Sequence, residues 1–269
     1  MASKKKRAGG AAITLRWPFA QTDIGTNKDT SLLKIIAMIA MLIDHSGKML
    51  FPQFHVMRLI GRLAFPIYAY CAAVGCVYTK DALKYLERIV LLALISQPIY
   101  AVAMAHTCAQ MYTVSFSEQP LLAAINFYAY SWYHPSVFLT LAFGIIACWS
   151  IREQKPVFMI AAALLVWKLA GHIDYGWQGV ALIALFYVTC AKWWLTLPVV
   201  GAFMLWWAAL GSGYEVFGVS FSSQLFAVCA LPLICIPMKT NIRVNKWLYY
   251  WYYPAHLALI LLLDTYVFI

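Results

Sequence analysis

The chain has 269 residues, 64% of them hydrophobic and only 11% charged, with a formal net charge of +10. A soluble domain carries about a quarter charged residues, so the apolar excess must face lipid. The apolar runs are continuous, which argues against a β-barrel of alternating strands. The cations punctuate the ends of these runs instead of gathering on one face, a placement that sets membrane topology and argues against a nucleic-acid partner.

Residues 1–31 read as a flexible basic cytoplasmic tail that begins Lys4-Lys5-Lys6-Arg7. The first apolar run follows too late and runs too long for a cleaved signal peptide. The remainder, 32–269, reads as a single membrane-embedded domain. The expected fold is all-α: a polytopic helical bundle with about nine transmembrane helices, each near the roughly 20 residues a span needs. The predicted spans are 32–51, 57–77, 83–104, 135–151, 156–170, 177–191, 193–210, 221–237 and 248–268. With the N-terminus in the cytoplasm, the inside connections hold Lys80, Lys84 and Arg88, then Arg152 and Lys155, then Lys192, then Lys239, Arg243 and Lys246. The outside connections are neutral or acidic, with Glu118, Asp174 and Glu215. This cation bias and an odd span count place the C-terminus outside. The long outer connection near 105–134 contains an apolar run, Pro120 to Ile125, that suits an interfacial or re-entrant piece. Seven cysteines form no CxxC pair and no zinc-type spacing, so neither a disulfide framework nor a metal site is expected.

Polar residues inside apolar spans carry the functional signal, because a carboxylate in hydrocarbon costs at least about 2.5 kcal/mol on insertion scales. The first span contains Asp44-His45, with His45 about 20 Å in from Leu32. Asp44 and Lys48 stand one turn apart and can pair; His45 points elsewhere. The second span opens Arg58-Leu59-Ile60-Gly61-Arg62-Leu63-Ala64-Phe65-Pro66. Arg58 and Arg62 share a face and repel unless an anion meets them, and Asp44 is the nearest candidate in sequence. Either a buried bridge or an anion clamp fits these residues. Gly61 permits close helix approach and Pro66 invites a kink. The loop Gly171-His172-Ile173-Asp174-Tyr175-Gly176 brings two more polar side chains to the outer level. The last span carries His256 near the midplane, where an ordinary packed histidine and a functional one fit equally well. The sequence contains no GxSxG elbow, P-loop, GxGxxG or HExxH, so hydrolase, nucleotidase and metalloprotease readings have no support in motifs.

The blocks LKIIAMIAMLIDH, GRLAFPIYAY and KYLERIVLLALISQ resemble the TraX family of membrane proteins, named for the conjugative F-pilin acetylase. The later SVFLTLAFGIIA, DYGWQGVALIALFYV and YPAHLALILLL are similar to it as well. The resemblance covers roughly 32–264. It implies an acetyl-CoA-dependent N-acetyltransferase acting on the N-terminal amine of a pilin subunit. It carries Asp44, His45, Arg62 and His256 over as catalytic residues. A histidine serves as general base near neutral pH and a carboxylate tunes it; Arg62 would stabilise the oxyanion. Arg58, Asp174 and His172 are expected near the substrates. Lys80, Lys84, Arg88, Arg152, Lys239 and Arg243 are expected at the CoA phosphates. Acetyl-CoA is cytoplasmic while these polar groups gather in the outer half. Either the pantetheine arm reaches through the bundle, or a histidine relays the acetyl group, with His256 suited to relay and His45 to base. The rival readings are a proton-coupled permease with an Asp-His-Arg relay and a non-catalytic chaperone for a pilin-like subunit.

Overall fold

A computed structural model of the chain describes residues 20–169, 171–216, 218–240, 242 and 244–267. Within them the chain runs α1 (Thr30–Met49), α2 (His55–Gly61), α3 (Ala64–Tyr78), α4 (Ala82–Ala103), α5 (Pro120–Ser131), α6 (Val137–Arg152), α7 (Pro156–Leu169), α8 (Gly176–Thr189) and α9 (Trp193–Ala209). An antiparallel hairpin follows, β1 (Tyr214–Val216) and β2 (Val219–Phe221), then α10 (Leu231–Cys235) and α11 (Lys246–Val267). Among the described residues, Thr30–Met49, His55–Tyr78 and Ala82–Ala103 are long and apolar enough to cross a membrane; α6 to α9 and the segment Ser223–Cys235 are shorter apolar helices.

Most predicted spans agree with a helix to within a few residues, and two do not. The second span is broken. Pro66 has no N–H to offer the carbonyl of Arg62, and its ring crowds that carbonyl. The helix therefore stops at Gly61 and restarts at Ala64, and the Arg62 and Leu63 N–H groups bond tightly to Leu59 and Ile60. The segment predicted at 221–237 is a tightly wound 3-10 stretch, Ser223–Ala230, that relaxes into the five-residue α10. The hairpin before it has no sequence expectation behind it.

α3 is apolar all round, and a helix of that kind belongs in an interior. Phe65, Ile67, Tyr70, Ala73 and Cys76 are buried, and α3 packs against α1, α6 and α8. α7 lies at the periphery with Val157, Ile160, Leu164 and Trp167 exposed, as a lipid-facing helix would. At one end the N–H groups of Gly25 and Thr26 bond to the Cys190 carbonyl, Asn27 bonds to Ile234 and Leu233, and Asp29 caps α1 and accepts from Thr240. Ile24, Thr26 and Asn27 are buried. The part of the expected tail that is described is thus a plug closing this end; residues 1–19 lie outside the described residues.

The long connection after α4 is anchored by one buried side chain. The amide of Gln97 donates to the carbonyls of Ser131 (2.6 Å) and His134 (2.9 Å) and accepts from the Ser136 N–H (2.9 Å). α5 contains the apolar run anticipated in the outer loop, and it leaves Leu121, Leu122 and Ile125 exposed. Gln97→Leu keeps the volume but strands three buried backbone groups, each worth about 1–3 kcal/mol. Its expected effect is a lower unfolding midpoint in detergent at unchanged helix content, read by circular dichroism; an unchanged midpoint would contradict the anchoring role.

Candidate functional site

Neighbouring residues on a helix point about 100° apart, so α1 sends Asp44 and His45 to different walls. Asp44 faces α2. Its Oδ2 accepts from Arg58 Nη1 at 2.8 Å, and its Oδ1 lies 3.7 Å from Arg62 Nη2. The two guanidiniums that would repel each other therefore share one carboxylate. Gly61, between them on α2, makes this possible: a Cβ there would overlap the Asp44 side chain, so only glycine lets α2 lie against that carboxylate. Lys48 does not pair with Asp44 as expected; its ammonium donates to the Met104 carbonyl at 3.0 Å and ties the end of α1 to the end of α4. Two atoms are left short. Asp44 Oδ1 and Arg62 Nε are buried without a hydrogen-bond partner.

His45 faces α11. Its Nδ1 lies 2.7 Å from Nε2 of His256, whose own Nδ1 lies 2.7 Å from the Tyr252 carbonyl. The rings of the two histidines are nearly parallel. A carbonyl can only accept, so the proton of a neutral His256 sits on Nδ1 and its Nε2 is an acceptor. His45 then carries its proton on Nδ1. The one imidazole nitrogen of this pair left with a free lone pair is Nε2 of His45. His45 lines the cavity beside it; His256 does not and is buried behind it. Both nitrogens of His256, the residue expected to suit a relay, are thus engaged, one by His45 and one by the Tyr252 carbonyl.

That cavity has a volume of about 240 Å³ and is lined by Asp44, His45, Lys48, Arg58, Arg62 and Asp174, with Tyr175, Trp207 and Gln224 closing it. Asp174 enters from the turn before α8. The Tyr100 hydroxyl donates to its Oδ2 at 2.6 Å, and the Thr140 hydroxyl donates to its backbone carbonyl. Tyr175 holds a left-handed backbone at φ 62°, a conformation a bulky residue adopts only when its surroundings hold it there. Here its ring stacks on Phe65, with centroids 3.7 Å apart, and meets Trp207 edge-on. In the connection after α4, burial followed by the nearby Lys48 charge holds His106 below the ordinary imidazole range.

The structure thus brings Asp44, His45, Arg58, Arg62 and Asp174 to one cavity and His256 to its back wall. Other expected residues stand elsewhere. His172 is exposed, packed edge-on against Tyr133 with its Nδ1 3.2 Å from the Tyr133 carbonyl, because the turn that carries Asp174 inward sends its neighbour two residues earlier outward. Lys84 is exposed and pairs with Asp81 at the start of α4, and Lys80 and Lys84 are absent from the cavity lining. Arg88 lines a groove beside Trp247. Arg152 is taken up structurally, donating to the Cys76 and Thr79 carbonyls that end α3. Arg243 lies outside the described residues. Tyr100, Trp207 and Gln224 had no sequence signal of their own, since an aromatic or amide in such a chain is unremarkable until its neighbours are known. No group of histidine, cysteine and acidic residues among the described residues could hold a metal.

The family model described as TraX protein matches residues 29–264. An uncharacterized protein of Rickettsia prowazekii (strain Madrid E) is 26% identical over 164 residues, covering 58% of this chain and 54% of that protein. A protein of Dichelobacter nodosus, named "Probable fimbrial assembly protein FimC, serogroup H1", is 33% identical over 73 residues, covering 26% of this chain and 30% of that protein. The chain thus spans about half of the first relative and under a third of the second. No solved structure matches it.

Removing one partner of a buried charge cluster strands the others, at a cost of about 3 kcal/mol or more. Asp44→Asn should therefore lower the unfolding midpoint, and adding Arg62→Gln should restore part of the loss. Strictly additive losses in this double-mutant cycle would show that the two side chains do not interact.

Proposed function

Because this chain belongs to the TraX family, we propose that it is a membrane-bound N-acetyltransferase that moves acetyl from acetyl-CoA to an amine, the N-terminus of a pilin-type subunit. The reading rests on one observation above all: a histidine with a single free nitrogen, held by a hydrogen-bonded chain that ends on a carbonyl, lines a cavity that Arg58, Arg62 and Asp174 line as well. The relative named as a fimbrial assembly protein supports a pilus-type acceptor. We place the end that holds Gly25, Cys190 and Thr240 in the cytoplasm and the polar cavity toward the periplasm, with nine passages through the inner membrane. Lys80, Lys84, Arg152, Lys155, Lys192 and Lys239 then fall on the cytoplasmic side, as the charge rule for membrane proteins requires.

The residues divide the chemistry as follows. Asp174, steadied by Tyr100, attracts the positively charged amine and orients it. His45 Nε2 takes a proton from that amine, since only the neutral form attacks. Arg62, which lines the cavity, stabilises with its guanidinium the negative charge that develops on the thioester carbonyl oxygen, an effect of several kcal/mol in a site of low polarity. Asp44 sets the position of both arginines, and His256 sets the tautomer of His45. Acetyl-CoA supplies the activated acyl group. Over the reaction one N–C bond forms and one C–S bond breaks; the ammonium loses two protons, the first leaving through His45 to water and the second taken by His45 as the N–C bond forms and passed to the departing sulfur, leaving an amide and a thiol.

The purified full-length protein, incubated with acetyl-CoA and a peptide bearing a pilin-like free N-terminus, should yield the acetylated peptide by intact-mass analysis. His45→Ala is expected to lose at least about 100-fold in rate, the scale of a positioned general base, at unchanged abundance in the membrane. His256→Ala should lose less and shift the pH profile, because it acts through His45. Full activity of His45→Ala would overturn the assignment.

A further inference from the structure

A second space adjoins the polar cavity. A cleft of about 50 Å³ shares Asp44, His45 and Tyr175 with it and runs on between α1, α3 and α11 as far as Tyr68. Tyr68 also lines a second cavity, of about 150 Å³, whose walls include Ala72, Ile89 and Phe138 and whose far end is marked by Lys34 and Tyr249. That cavity shares Leu92 and Tyr250 with a groove between α4 and α11 that contains Arg88 and Trp247. Lys34 and His45 are on the same helix, separated by about 16 Å of rise. The string of spaces therefore leads from two cations near one end of the bundle to the free nitrogen of His45 near the other.

Its chemistry changes along its length. The middle is mostly apolar, with Tyr68 shared by the two spaces that meet there. The far mouth is cationic: the Lys34 ammonium lies 5.0 Å from the Tyr249 ring centroid. Among the described residues neither Lys34 nor Arg88 has a carboxylate at ion-pair distance. A half-buried ammonium without a counter-ion attracts an anion. A slim chain with phosphate at one end and a reactive acyl group at the other fits this sequence of surfaces. A phospholipid tail fits the apolar part too, but it would carry nothing to His45.

Resting on the transferase reading above, we propose that this path is the entry route of the thioester donor. Lys34 and Arg88 hold the phosphates of coenzyme A, the stretch past Ala72 takes the pantetheine arm, and Tyr68 stands at the junction beyond which the acetyl group meets His45. No acetylated histidine is then required to carry the group across the bundle.

Steady-state acetyl transfer by the full-length protein tests this with two donors, acetyl-CoA and S-acetylpantetheine, which lacks the phosphates. Loss of one charge-assisted contact corresponds to about tenfold or more in binding. Lys34→Ala should raise the KM for acetyl-CoA by about that factor, leave the KM for S-acetylpantetheine unchanged, and be rescued by Lys34→Arg. Ala72→Phe, which fills the middle of the path, should abolish transfer from both donors at an unchanged unfolding midpoint. A wild-type KM for acetyl-CoA in Lys34→Ala would overturn the route while leaving the transferase reading intact. So would phospholipid that co-purifies in the path and that acetyl-CoA fails to displace. A wild type inactive with both donors would remove the transferase reading, and the route with it.

Discussion

One carboxylate between two guanidiniums holds this site together. Asp44 accepts from Arg58 and balances Arg62, and Gly61 lets the helix carrying both arginines lie against it. Charges drawn largely out of water are costly unless paired. The cluster therefore fixes how α1 and α2 meet, and with it the rotation of α1 about its own axis. Once that rotation is set, His45 has one direction left to face.

That direction leads to α11 and decides where the proton of His45 sits. A backbone carbonyl at Tyr252 fixes His256, and His256 fixes His45. Each link follows from what the preceding group can donate or accept. The result is a base whose orientation depends on ordinary helix geometry and not on a neighbouring acid. The acids do other work: Asp44 positions the arginines, and Asp174 stands across the cavity with Tyr100. This division explains how four basic side chains and two acidic ones share one small space.

The surroundings make such a cavity tenable. α3 is apolar all round and fills the centre, while α7 and the exposed faces of α4 and α11 turn leucine and tryptophan outward. The polar groups are drawn inward because lipid offers them nothing to bond to. Pro66 breaks the second span at the level where Arg62 enters the cavity. An interruption of backbone bonding is tolerable there because it borders protein and a polar space instead of hydrocarbon. Gln97 does the same service for the long connection, meeting three backbone groups that no regular element satisfies.

Composition alone established a helical chain with lipid-facing surface, since so few charges cannot cover a soluble domain. Most helix limits followed from the lengths of the apolar runs. Asp44, His45, Arg58 and Arg62 stood out because a charge in an apolar run is costly, and that cost is legible without coordinates. The break at Arg62 was signalled by Pro66, though not its extent. Tertiary structure decided the rest, because it depends on which side chains from distant segments share a space. It parted Lys48 from Asp44 in favour of a carbonyl on α4, turned His172 outward while Asp174 turned in, and committed Arg152 to the end of α3. It made a packed plug of residues expected in a tail. It also set His45 against His256 across more than two hundred residues of chain; no local pattern encodes that contact, since only the packing of the first helix on the last creates it.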